Sequence, residues 1–178
     1  MAHKNTFVFI GLQIIAWIIF VGLSIEAGGL LVNFAFSIFK PEFVPNLYQK
    51  LDLSALYQSS LWVFYSMYSF VLMIAVLKAL LFYKLIQLLM KLDTAKPFSS
   101  LAARQITRIS YFIFSIGILS YIARQSAKNI MHHGYELSVL NPFWEDSQAY
   151  ILMAAVVYAI ATIFSRGVEI QNENDLTV

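Results

Sequence analysis

The sequence predicts an all-α fold: an integral membrane bundle of four transmembrane helices with both termini cytoplasmic. Three observations lead there. No Asp, Glu, Lys or Arg appears between Lys4 and Glu26, between Asp52 and Lys78, between Arg108 and Arg124, or between Asp146 and Arg166. A bilayer core about 30 Å thick is crossed by roughly 20 mostly apolar helical residues, and a helix satisfies its own backbone polar groups without water. Composition agrees: of 178 residues, 60% are hydrophobic and 12% charged, where a soluble domain carries about 25% charged residues to face water. Basic residues, finally, divide unequally between the two sides that four spans create.

The first span covers about residues 6–25. His3 and Lys4 give it the start of a secretory signal. Its uncharged core is longer than the roughly 7–15 residues of a signal's apolar region, so it reads as a retained helix. Gly28 and Gly29 are expected to loosen or end it, with residues 30–39 prolonging it or lying in the interface. Pro41 and Pro45 break regular structure. The stretch that follows, with Tyr48 and Tyr57 among leucines, suits a membrane surface where aromatics collect.

The second span, about 60–78, continues as helix through Leu92 on Lys78, Lys84 and Lys91. That length, about 50 Å, exceeds the bilayer, so its end projects or bends. Asp93–Pro97 should stop it, and Ser99 or Ser100 can cap the third helix. The third span, about 108–124, has an uncharged core that rises about 22 Å. Arg108 and Arg124 are therefore expected to snorkel to opposite headgroup layers. A polar loop from Gln125 to Gln148 holds His132, His133 and Gly134. The fourth span, about 148–165, is expected to close at Ser165, Arg166 and Gly167. Residues 166–178 then form an acidic cytoplasmic tail, and residues 1–178 as a whole form one four-helix transmembrane domain.

Orientation follows from the basic residues. With four spans both ends share a side, and that side would hold Lys4, Lys78, Lys84, Lys91, Lys96, Arg104, Arg108 and Arg166. The other holds Lys40, Lys50, Arg124 and Lys128. Short cytoplasmic loops carry the excess of Lys and Arg, which places both termini in the cytoplasm.

Several classes of chemistry find little support. Cysteine is absent, which removes disulfides, thiolate metal sites and cysteine nucleophiles. The net charge of +2 is too small and dispersed for direct nucleic-acid binding. His132 and His133 are adjacent, and no third ligand stands at a zinc-site spacing. No span holds the acid pair, histidine pair or metal triad of an intramembrane enzyme. The expectation is a protein with no catalytic residues, no cofactor and no metal.

Two constellations remain. Glu26 and Arg124, both expected at the outer ends of their helices, form a candidate interhelix ion pair, since a carboxylate at the lipid boundary is costly unless solvated or paired. On the cytoplasmic side a basic connector faces an acidic tail. Lys96, Arg104, Arg108, Arg166, Glu169, Glu173, Asp175 and Val178 are the candidate partner-binding residues, with anionic lipid as a further ligand for the basic ones. Small and hydroxyl residues (Tyr65, Tyr68 and Ser69, Ser110, Ser115, Gly117 and Ser120, Ala155 and Ala159) read as helix-packing faces.

The connector and tail also carry a resemblance. Lys96-Pro97-Phe98, Arg104 through Arg108, Arg166-Gly167-Val168-Glu169 and Glu173-Asn174-Asp175-Leu176-Thr177-Val178 are similar to a family of bacterial integral membrane proteins, domain of unknown function 2975. The resemblance implies a four-span, multi-pass protein of the bacterial inner membrane, often encoded beside a small helix-turn-helix regulator, with no catalytic residues to carry over. The sequence thus leads to a non-enzymatic membrane protein that binds a cytoplasmic regulator through its connector and tail. A small oligomeric transporter or channel is the alternative.

Overall fold

Three of the four charge-free stretches lie within a long helix, and the one after Asp52 is divided at the extended Ser60 between a short helix and a long one. The computed structural model describes residues 2–40, 42, 44, 53–92 and 99–176. In chain order these form α1 (Ala2–Phe39), α2 (Ser54–Ser59), α3 (Leu61–Lys91), α4 (Ser100–His132), a 3-10 helix (Ser138–Phe143) and α5 (Ser147–Leu176). α1, α3, α4 and α5 are long and apolar enough to cross a membrane. No strand occurs among the described residues.

Helix starts follow local chemistry. Ser60 caps α3, its Oγ accepting from Val63 N–H at 3.4 Å, and Ser99 caps α4, accepting from Ala102 N–H at 3.2 Å. Each satisfies one of the donors that a first helical turn leaves over. The expected stop at Asp93–Pro97 lies outside the described residues.

Helix ends depart from expectation twice, at α4 and α5. Of the two courses open to residues 30–39, α1 takes the longer, passing Gly28 and running to Phe39. Without water to compete for backbone groups, a glycine in an apolar helix is a weak breaker, and Gly28 has no close neighbour to accommodate. α4 runs two turns past Arg124, to His132, so the start of the expected loop is helical. It closes through Gly134, whose φ of 88° is the left-handed conformation that glycine adopts without strain. α5 passes through Ser165, Arg166 and Gly167 to Leu176. Arg166 donates to Glu169 at 3.0 Å, an i, i+3 pair that supports the turn holding the glycine.

The long helices alternate in direction. Gln13 Nε2 donates to the Leu89 carbonyl at 3.0 Å, and Tyr68 Oη to the Leu30 carbonyl at 3.0 Å, which fixes α1 antiparallel to α3. The start of α1, the end of α3, the start of α4 and the end of α5 therefore share one end of the molecule, here the terminal end. α2 and the 3-10 helix lie at the other, the loop end. A core at the loop end centres on Phe64, Tyr68, Trp144, Leu137 and Leu140, joined by Leu53 and Leu56 from around α2. A second, towards the terminal end, joins Leu81, Leu88, Ile109, Ile113 and Ala161.

The closest helix contact is between α4 and α5. A Cβ at Gly117 would stand 2.7 Å from Ile151 Cγ1 and 3.0 Å from the Ile151 backbone nitrogen. Ser147, Ala154 and Ala161 are buried on α5, a seven-residue spacing that keeps one seam facing its partner. Ala155 and Ala159, the expected small-residue face, are exposed instead. α1 leaves Phe7, Ile14, Ile18 and Ile25 on its outside, as a helix solvated by hydrocarbon does.

Candidate functional site

Glu26 and Arg124 do not pair. Among the described residues the ion pair within 4 Å is Arg166 with Glu169. The continuation of α1 is the reason, because it leaves Glu26 about 20 Å short of the helix end rather than at it. Glu26 stands between Phe20, whose ring lies 5.8 Å from Tyr83, and Leu30, which accepts from Tyr68. On α3, Lys78 stands between the same Tyr83 and Tyr68. The two charges thus occupy matching heights on neighbouring helices, and it is Lys78 on which the Glu26 carboxylate acts.

Lys78 meets the beginning of α5 as well. Its Nζ lies 5.7 Å from the centroid of the Tyr150 ring, within cation–π range. The Asp146 carboxylate is the second anion acting on it. Asp146 and Arg166 bracket an uncharged segment that rises about 30 Å, the thickness of a hydrocarbon core. Tyr150 lies one turn inside that segment, and the Lys78 ammonium reaches its ring. Side chains lean towards the start of their helix, which for α3 is the loop end. Lys78 is thus drawn towards the loop end, and Lys4, Lys84, Lys91, Lys96, Arg104, Arg108 and Arg166 still outnumber Lys40, Lys50, Arg124 and Lys128.

Lys78 of α3 thus lies against Tyr150 of α5, with the Glu26 and Asp146 carboxylates acting on it from α1 and from the turn before α5. Below it, α3, α4 and α5 enclose a cavity of about 500 Å3, with Asp146 and Tyr150 at one end and Leu81, Ile109, Ile113 and Met153 among its walls. Ionisable groups in lipid are costly to keep, and they concentrate where a membrane protein does work. Sequence reasoning missed this arrangement. Its one signal was Lys78, a lysine that follows a long uncharged run and is followed by more leucines.

The other expected residues fall as follows. His133 Nδ1 lies 2.8 Å from the Asn129 carbonyl and His132 is exposed; among the described residues no three potential metal ligands gather. The hydroxyl rows bond mostly within the protein. Tyr65 donates to the Ser37 carbonyl, and Ser66, Ser69, Ser110 and Ser115 donate to carbonyls of their own helices. At the terminal end, Arg104 donates to the Ser100 carbonyl. Arg108, Arg166, Glu169 and Glu173 are exposed. Because α4 starts and α5 ends there, the structure brings these five to one end of the molecule. Lys96 and Val178 lie outside the described residues, as does the side chain of Asp175.

No curated protein and no solved structure matches this chain. A family model described as a protein of unknown function, DUF2975, matches residues 46–178, which is well over half of the sequence. The match takes in three of the four membrane-length helices, Lys78, Tyr150 and Asp146, and the whole of α5. By that match the chain belongs to the DUF2975 family.

Proposed function

We propose that this protein is a non-enzymatic membrane module that docks a cytoplasmic regulator at its terminal end. The observation that carries the reading is the continuation of α5 to Leu176. Past Arg166 the helix extends about 15 Å, beyond the apolar segment and beside the start of α4. A tail that only aided solubility would gain nothing from helical order. As a helix it presents Arg166, Glu169 and Glu173 in fixed register at the end of the molecule where α4 carries Arg104 and Arg108, a surface of mixed charge of the kind that sets specificity and association rate more than raw affinity. The positive-inside rule assigns this end to the cytoplasm. The partner that fits the family resemblance is a helix-turn-helix regulator encoded beside the gene. Deleting residues 167–178 should abolish recovery of that regulator with the protein in mild detergent, and the double reversal Glu169→Lys, Glu173→Lys should reduce it at least tenfold. Unchanged recovery in both variants would refute the reading.

A second reading, a small transporter or channel, is favoured by one observation. Asp146 and Tyr150 line the cavity between α3, α4 and α5, and both act on Lys78 of α3, the kind of ionisable group near a span that transport chemistry needs.

A further inference from the structure

Arg124, released from the expected pairing with Glu26, lines a second cavity of about 210 Å3 at the loop end. We propose that this cavity binds a singly charged phosphate diester, the headgroup of a membrane phospholipid being the source its depth favours. Arg124 and Lys128 stand one turn apart on α4, on the same side of the helix, and both line the cavity. Among the described residues neither makes an ion pair. Opposite them stand Asn141 and Trp144, placed by the 3-10 helix and the turn after it.

Trp144 is 1% exposed, and its indole N–H is buried without a partner. That group can only donate, and a buried donor left unpaired is costly. Two cations and the Asn141 amide suit an anion with several oxygens, because such charge-assisted bonds are the strong ones, and the Trp144 ring supplies a rigid wall beside them. Glu145 also lines the cavity. Its carboxylate leaves a local balance of one positive charge, which a phosphodiester matches and a phosphate dianion overshoots. Depth selects the source. Trp144 is two residues before Asp146, which marks the loop-end boundary of the hydrocarbon, and Ala127 and Met131 supply an apolar wall.

The test uses the full chain, stripped of lipid in dodecyl maltoside, a detergent without phosphate. Trp17→Phe and Trp62→Phe, both at exposed positions, leave Trp144 as the sole indole reporter. Phosphatidylglycerol should shift the Trp144 emission saturably at about one lipid per chain. Arg124→Gln and Lys128→Gln should each weaken that binding about tenfold, Glu145→Gln should tighten it, and His132→Gln should leave it unchanged. Water-soluble glycerophosphoglycerol should act only at much higher concentration. An equal response to it would keep the phosphate site and reject the lipid as its source. Thermal unfolding checks each variant, and Asn141→Leu replaces any that does not fold. Absence of a saturable shift, or a shift that folded Arg124→Gln and Lys128→Gln leave intact, overturns the proposal.

Discussion

Lys78 sits where an isolated ammonium would be costly, one helix away from each of two carboxylates. Removing it leaves Glu26 without its neighbouring counter-charge inside α1. Lys78→Met should therefore destabilise the protein by roughly 1–3 kcal/mol, and Lys78→Met combined with Glu26→Gln should cost less than the sum of the two, since coupled charges are not additive. Thermal unfolding in detergent reads both. Additive losses would mean that the two residues do not sense each other. Solute flux in reconstituted vesicles that Lys78→Arg abolishes at unchanged stability would promote the transport reading over the docking one. Residue identity made Glu26 and Arg124 conspicuous in the sequence, but pairing is a tertiary fact. Which helix faces Glu26 depends on how far α1 runs, and the sequence left open whether it ends near Gly28 or continues to Phe39.

The existence of the four apolar helices was legible, because the absence of charge over some fifteen or more residues has few explanations besides lipid. Their ends were not. Gly28, Arg124 and Gly167 all read as candidate stops under rules learned in water, where exposed backbone finds other partners. In α1 no water is there to replace the helical bonds, and in α5 a salt bridge spans the weak turn. The α4–α5 seam was half legible. Gly117, Ser110 and Ser120 of α4 are buried as expected, while on α5 the buried row is one residue off, at Ser147, Ala154 and Ala161. A single-residue shift turns a helix face by about 100°, which periodicity alone does not resolve on an apolar helix. Gly117 is where this seam can be tested. Gly117→Ala places a methyl group 3.0 Å from a backbone nitrogen, which cannot rotate away, so the helices must separate. The expected loss is about 1–3 kcal/mol, measured by thermal unfolding. A neutral Gly117→Ala would mean that α4 and α5 are not in close contact.

At the scale of the whole molecule, function rests on which groups share an end. Alternating helix directions gather Arg104, Arg108, Arg166, Glu169 and Glu173 at the terminal end, and Arg124, Lys128, Asn141 and Trp144 at the loop end, with Lys78 inside the membrane-length segments between them. On the proposed reading, the docking surface and the phosphate site face opposite sides of one membrane. The sequence is free of cysteine, so introduced thiols can report this arrangement without background. Single variants Ser100→Cys, Asn172→Cys and Glu136→Cys, all at exposed positions, would be treated with a membrane-impermeant thiol reagent in intact and in permeabilised cells. The arrangement predicts that Glu136→Cys is labelled in intact cells, whereas Ser100→Cys and Asn172→Cys react only after permeabilisation. Labelling of Asn172→Cys in intact cells, or different behaviour of Ser100→Cys and Asn172→Cys, would contradict it.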